Sequence, residues 1–205
     1  CNLTCERSKW AAVKDAATCI TDSLTSRSQA KKEWTLHRPI THEILVAPTA
    51  VNYVGKGSNL YTSDYTYHGS HAVITRYLRT TWLWEQVRVK GGAYGGFCSL
   101  DWMSGVYSFA SYRDPRLLET IMSFDATADF LQNTTIGKDE CTKAVIGAIS
   151  DIDQYRLPDA KGWTSLLHHL TGITDEIRQL KRDEMLSTSS KDFQAFSAPL
   201  RYVPK

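Results

Sequence analysis

Residues 83–97, LWEQVRVKGGAYGGF, join the end of a predicted helix to the start of a predicted strand. Apolar residues recur at spacings of three and four between residues 70 and 88, which indicates a long helix with a wide apolar face. The pair Gly91-Gly92 is suited to end that helix, because glycine adopts the left-handed conformation at helix C-termini without steric cost. We expect residues 93–101 to be extended, so helix, turn and strand follow one another directly.

A predicted β-hairpin continues from this strand. Met103, Ser104 and Gly105 have turn chemistry, and the run VYSFASYRD at residues 106–114 has the two-residue alternation of a strand.

A further extended segment is predicted upstream of the helix. Ile44, Leu45 and Val46 have the character of a buried strand, which Pro48 interrupts. Residues 51–54 resume the extended run, and residues 56–59, KGSN, are predicted to close it as a turn.

The rest of the chain is predicted to be helical. Asp114 and Pro115 suit a helix start, because aspartate caps a helix and proline fits its first turn. The predicted helices cover residues 8–24, 115–132, 137–154, 159–171, 174–186 and 190–200. Strands followed by helices predict an α+β fold, with an antiparallel or mixed sheet packed by helices.

A polar, Ser-, Arg- and Lys-rich stretch at residues 25–32 is typical of a linker. We therefore place a domain boundary between about residues 32 and 42. Residues 1–36 are interpreted as the tail of a preceding domain with its linker, and residues 37–205 as the final domain.

The composition excludes several functional classes. The net charge is only +2 over 205 residues, so neither nucleic acid nor a membrane surface is an expected partner. No apolar run approaches the ~18 residues that span a bilayer. The five cysteines form no CxxC pair, which disfavours a zinc ribbon or a thioredoxin motif.

Motifs for nucleotide or metal binding are also absent. The glycines of GGAYGG follow a predicted helix, whereas a phosphate-binding loop precedes one. His68 and His71 lie three apart, and His168 and His169 are adjacent, but the sequence contains neither HExxH nor HxxEH. We interpret these histidines as surface or hydrogen-bonded residues, and we predict no metal site in this chain.

Arg88 and Tyr94 remain as candidate functional residues. Glycines on both sides of Tyr94 remove neighbouring side chains, so its hydroxyl is expected to lie in an open position near Arg88 on the last helical turn. A guanidinium and a phenol are hydrogen-bond donors suited to carbonyl oxygens, and such donors stabilise an oxyanion when they converge on it. The alternative is structural: the glycines cap the helix, Tyr94 packs in the sheet, and Arg88 interacts with the helix dipole.

Several runs in collinear order resemble one protein family. They are VNYVGKG at residues 51–57, LWEQVRVKGGAYGGF at 83–97, SYRDP at 111–115, QYRLPDAKGW at 154–163 and MLSTS at 185–189. Together they resemble the last domain of the presequence-protease branch of the pitrilysin (M16) metallopeptidases, with falcilysin-type enzymes as close neighbours. The resemblance covers residues from about 8 to about 200.

The resemblance implies a fold and an activity. It implies a domain of the pitrilysin type (M16, LuxS/MPP-like metallohydrolase), four of which form two halves around a peptide-sized chamber. The amino-terminal half of such enzymes holds zinc through HxxEH and a distal Glu, and the carboxy-terminal half contributes an R-x5-Y motif. Arg88 and Tyr94 have that spacing, so by resemblance Tyr94 donates to the scissile carbonyl or its oxyanion and Arg88 holds a substrate carbonyl.

The same resemblance predicts the context of the chain. We expect the carboxy-terminal portion of a zinc metalloendopeptidase that degrades short peptides such as cleaved targeting peptides, in the mitochondrial matrix or a plastid. Its expected partners are the peptide substrate and the amino-terminal half of the same polypeptide, which binds the zinc. Because this chain lacks HxxEH, we expect it to be inactive when isolated.

Two other hypotheses stay open. The first is a catalytically silent pitrilysin-like subunit that serves assembly or peptide binding. The second is a fragment that dimerises through apolar surface normally covered by other domains.

Overall fold

The computed structural model describes residues 1–24, 33–34 and 42–203. The chain divides into two compact units. One unit comprises Cys1–Pro48 and Tyr155–Ile173, and the other comprises Thr49–Gln154 and Thr174–Lys205. The predicted linker at residues 25–32 and most of the predicted domain boundary lie outside the described residues.

The described residues of the first unit include two main helices. A 3₁₀ turn at Arg7–Lys9 leads into α1, Trp10–Ser23. The second helix, which is α6 in chain order, spans Pro158–Thr171 and ends at Gly172 in the left-handed conformation. Both agree with the predicted helices, and no described residue of this unit is buried.

The second unit contains an antiparallel sheet whose strand order is β1-β3-β2 in the described part of the chain. The strands are β1, Asn52–Asn59; β2, Gly95–Asp101; and β3, Val106–Asp114. The predicted hairpin of β2 and β3 is confirmed, and Gly105 turns it with a φ of 75°.

Alternate side chains of the sheet point to opposite faces, as the pleat requires. Val54, Cys98, Tyr107 and Phe109 are buried on the inner face. The outer face carries small residues between exposed aromatic ones. Phe97 and Tyr53 both lie on this face and remain accessible to solvent.

Helices cover the inner face of the sheet. Their bounds are α2, Ser70–Thr80; α3, Leu117–Asp125; α4, Thr127–Asn133; α5, Lys138–Ile152; α7, Asp175–Leu186; and α8, Ser190–Leu200. Helix α2 packs against β2, α5 and α7, and α4 packs against α8. Fully buried side chains of the sheet and of the helices, such as Tyr107, Ile74 and Phe193, form one core cluster. This arrangement confirms the α+β class.

Two predictions about the upstream strand are wrong. Ile44, Leu45 and Val46 form no strand, and each side chain is at least 78% exposed, because the described chain provides no neighbouring strand for them. The predicted turn at residues 56–59 is strand, since Gly57 pairs with Ser108 of β3. A Cβ at Gly57 would lie 2.8 Å from the Tyr107 carbonyl oxygen. Glycine at this position therefore allows β1 to approach β3 closely, and it does not form a turn.

Two predicted long helices are interrupted. The helix expected at residues 70–88 breaks at Thr81, where φ is −123° and ψ is −82°, and resumes as a π-helix at Trp84–Lys90. The helix expected at 115–132 is divided between α3 and α4. The Trp82 indole N–H donates to the Ser123 carbonyl of α3 and to the Thr127 hydroxyl of α4, both at 3.1 Å. These hydrogen bonds lie at the break between the two helices.

His71 occupies a buried position on α2. Its ring lies 4.6 Å from the Tyr67 ring centroid, and its Nδ1 is 3.1 Å from the His68 carbonyl oxygen. Burial, together with the smaller effects of the Lys181 and His68 charges, lowers the pKa of His71 from 6.5 to about 4, although the backbone hydrogen bond with His68 opposes the shift. The neutral imidazole is therefore the folded form at neutral pH.

We expect His71 to make folding stability fall as the solution is acidified. Below pH 6.5 His71 binds a proton in the unfolded chain, whereas in the folded chain it becomes protonated only near pH 4. The free energy of unfolding should thus fall by about 2 kcal/mol between pH 7 and pH 5. Urea unfolding at both pH values measures this loss. The His71→Asn variant should lose most of this pH dependence, whereas the exposed control His169→Asn should keep it; equal slopes in both variants would refute the assignment.

Candidate functional site

Arg88 lies near the end of the π-helix and is exposed. Its guanidinium carbon stands 4.1 Å from the ring centroid of Trp84 and 5.8 Å from that of Tyr94. A guanidinium over aromatic faces gains cation–π attraction, which limits the orientations of its planar donor fork. Arg88 makes no ion pair or hydrogen bond through its side chain with any described residue. Its donors are free to bind a ligand.

The π-helix sets the faces on which these side chains lie. Glu85 and Lys90 are five residues apart and form an ion pair with an N–O distance of 3.4 Å, as the wider winding allows. Val87 is fully buried, whereas Arg88 is exposed beside it. Short π-helical segments are rare and occur frequently at functional sites.

A glycine turn connects the π-helix to β2. Gly92 has a φ of 82°, and its N–H donates to the Arg88 carbonyl at 3.0 Å. The Ala93 N–H donates to the Val87 carbonyl at 3.1 Å across the same turn. A Cβ on Gly91 would collide with the Val87 carbonyl oxygen. The expected glycine cap is therefore present, and it leads directly into the segment with Tyr94.

Tyr94 follows this turn with an exposed ring. The side chain is 64% exposed, so Tyr94 is not buried in the core. Its backbone N–H donates to the Tyr112 carbonyl at 3.0 Å, and its ring meets the Tyr112 ring edge-to-face at 5.6 Å. The hydroxyl makes no hydrogen bond among the described residues. A free phenol and a free guanidinium thus lie on the same surface.

Sequence reasoning missed the aromatic side chains around this pair. Tyr53, Tyr112, Tyr94 and Trp84 form a continuous series, which we call the aromatic row, with Arg88 between the last two. The contact between Trp84 and Arg88 could have been predicted, because residues four apart on a helix lie on the same face. Tyr112 could have been found from the hairpin, because it pairs with Gly95.

The described residues contain no group of His, Cys, Asp and Glu side chains arranged to hold a metal ion. His71 is buried, and His169 lies on α6 in the other unit. Among the described residues, none of the helices has the length and apolar character of a membrane-spanning segment.

The fold resembles that of solved peptidase domains. A protein of Bordetella pertussis Tohama I assigned as a zinc protease aligns with a TM-score of 0.53 and 16% identity, covering 75% of this chain and 88% of that one. An inactive peptidase domain of a protein of the same assignment from Bordetella parapertussis has a TM-score of 0.55 and 15% identity, covering 78% and 95%. At these identities the likeness establishes the α+β fold alone.

The sequence places the chain within a family. Residues 42–203 match the model of the PreP C-terminal domain, and the chain belongs to that family.

Curated relatives carry the same domain within longer chains. Presequence protease 1, chloroplastic/mitochondrial, of Arabidopsis thaliana is 52% identical over 83% of this chain and 16% of its own length. The mitochondrial presequence proteases of Xenopus laevis and Saccharomyces cerevisiae are 31% and 30% identical over 74% of this chain and 14% and 15% of their lengths. The chain thus spans about a sixth of the length of the curated relatives it matches.

We expect Gly92→Ala to strain the turn that separates Arg88 from Tyr94. Alanine at a φ of 82° costs about 1–2 kcal/mol of stability, because its Cβ crowds the following carbonyl. Urea unfolding measures this loss. Gly55→Ala is the matched control, since Gly55 has open space for a Cβ and should lose little stability. Equal stability in the two variants would contradict the role of the left-handed turn.

Proposed function

We propose that this chain is the carboxy-terminal portion of a zinc metalloendopeptidase that degrades short peptides, including cleaved targeting peptides. The observation that carries the proposal is the exposed pair Arg88 and Tyr94, whose donors have no partner among the described residues. Membership of the PreP C-terminal domain family supports it, since relatives of that family are presequence proteases.

The two side chains have complementary tasks in this proposal. The Tyr94 hydroxyl donates to the scissile carbonyl oxygen and binds it more strongly as negative charge develops there, which lowers the barrier. The Arg88 guanidinium donates to a main-chain carbonyl of the substrate and so fixes the position of the peptide. Stacking on Trp84 limits the orientations of the guanidinium before the peptide binds.

The zinc belongs to the amino-terminal half of the full-length polypeptide in this proposal. The described residues of this chain do not provide a ligand set for it. Zinc acts as a Lewis acid and generates a nucleophile from bound water in enzymes of this kind. Residues 1–36 are then the tail of the preceding domain, and residues 37–205 are the final domain that faces the zinc-binding half. The chain alone should accordingly hydrolyse no peptide.

The proposed location is the mitochondrial matrix or a plastid. The Arabidopsis relative is described as chloroplastic/mitochondrial, and the Xenopus and yeast relatives as mitochondrial. Peptides are the proposed partner, because extended backbone offers the carbonyl oxygens that both donors require.

We expect Tyr94→Phe in the full-length enzyme to lower kcat by roughly 10²–10³, as for the loss of one oxyanion donor. Steady-state cleavage of a fluorogenic peptide measures kcat and KM. The control is Tyr202→Phe, because Tyr202 is 63% exposed, almost equal to the 64% of Tyr94, and should keep normal turnover. Near-normal turnover by Tyr94→Phe would refute the catalytic role. No turnover by the wild-type full-length protein would favour the catalytically silent subunit.

A further inference from the structure

Strand β3 contains a bulge next to the candidate site. Asn52 of β1 pairs with Asp114, and Val54 pairs with Ser111, so the register shifts between these pairs. One residue of β1, Tyr53, therefore lies opposite Tyr112 and Arg113 of β3. Bulges bend a strand and redirect its side chains, and they are over-represented next to active sites.

The bulge holds a strained residue. Arg113 has a φ of 50°, in the left-handed region that residues with a Cβ rarely adopt. Strained backbone persists only where its surroundings fix it, and it is concentrated at functional sites. Arg113 itself is exposed, and the residue that follows it, Asp114, is fully buried.

Asp114 fixes the end of the bulge. Its side chain is fully buried, and its carboxylate accepts hydrogen bonds from the Thr120 hydroxyl at 2.6 Å and the Arg116 N–H at 2.9 Å. The Asn52 amide donates to the Asp114 carbonyl at 3.0 Å. These bonds hold Asp114 inward while Tyr112, two residues earlier, stays on the outer face.

Tyr112 contacts Tyr94 in two ways. Its carbonyl accepts the Tyr94 N–H at 3.0 Å, and its ring meets the Tyr94 ring at 5.6 Å with an interplanar angle of 76°. Tyr53 packs on the other side of Tyr112 at 5.4 Å and 75°. Tyr112 is thus held between two rings, and the Arg113 guanidinium carbon lies 5.6 Å from its ring centroid.

Tyr94 depends on these contacts because its chain neighbours give little support. Ala93 is buried below it and Gly95 follows it, so neither side chain can restrict the exposed ring. The Arg88 guanidinium carbon lies 4.1 Å from the Trp84 ring centroid and 5.8 Å from that of Tyr94, so its closer contact is with Trp84. An error of about 1 Å in a catalytic group can lower a rate about 10²-fold.

We propose that Tyr112, held between the rings of Tyr53 and Tyr94, is a positioning residue that sets the direction of the Tyr94 hydroxyl. This inference rests on the proposed peptidase function. It assigns no contact with the substrate to Tyr112, which acts only through Tyr94.

The test uses steady-state kinetics of the full-length enzyme that carries this chain, with unfolding melts of each variant. Tyr112→Leu removes the ring and should lower kcat about 10- to 100-fold with KM within about threefold of wild type. Tyr112→Phe keeps the ring and should retain most of kcat. Tyr202→Leu controls for loss of an exposed tyrosine and should leave kcat unchanged.

The decisive comparison repeats Tyr112→Leu in the Tyr94→Phe background. Because Tyr112 acts through the Tyr94 hydroxyl, the second substitution should lower kcat less than threefold there. The same loss of kcat in both backgrounds, or wild-type kcat in Tyr112→Leu alone, would overturn the proposal. If Tyr94→Phe itself has normal turnover, the proposed function fails instead, and the two failures are distinguishable.

A second variant covers the case in which Tyr112→Leu does not fold. Tyr53→Leu removes the supporting ring at a site that is 64% exposed, so folding should persist. It should lower kcat about 2- to 10-fold in the wild-type background and have no effect in the Tyr94→Phe background. An equal effect in both backgrounds would overturn the proposal.

Discussion

The left-handed turn at Gly92 is the constraint on which the rest of the site depends. It ends a π-helix and starts a strand within a few residues, so Arg88 is fixed by helix packing and Tyr94 by sheet register. Buried Val87 before the turn and buried Ala93 after it anchor both sides. The two exposed side chains therefore take their positions from the core.

The two faces of the sheet divide the tasks of stability and binding. Tyr107 and Phe109 of β3 are buried under the helices and supply the apolar area that holds the unit together. Tyr112 of the same strand lies outward in the aromatic row by the regular alternation that buries Tyr107 and Phe109, and the bulge at Arg113 then lets Asp114 turn inward. One strand thus contributes to both the core and the candidate site.

Much of the fold could be predicted from the sequence where local signals agreed with tertiary packing. The β2–β3 hairpin and helices such as α8 were predicted to within a few residues, because turn chemistry and apolar periodicity indicate them directly. The strand predicted at residues 44–46 is absent, because strand composition does not supply a pairing partner. The π-helix was missed because seven residues are too few for periodicity to distinguish it from an α-helix.

The candidate site could be predicted only in part. The glycines around Tyr94 indicated an open position, and the structure places Arg88 beside it. The outward position of Tyr112 could have been predicted from the strand alternation, but its ring contact with Tyr94 could not, since that contact depends on how the turn at Gly92 places the Tyr94 ring. The bulge at Arg113 could not be predicted either, since it depends on buried partners of Asp114, including Thr120, which lies six residues further along the chain.

A structure of the full-length enzyme with a ketomethylene peptide, which cannot be cleaved, tests the central claim most directly. The measurement is the distance from the Tyr94 hydroxyl oxygen to the ketone oxygen that replaces the scissile carbonyl. We predict about 2.6–3.2 Å, with the Arg88 guanidinium within similar reach of another main-chain carbonyl of the peptide. A peptide bound with both side chains more than about 6 Å from its carbonyl oxygens would contradict the account, because no direct hydrogen bond spans that distance.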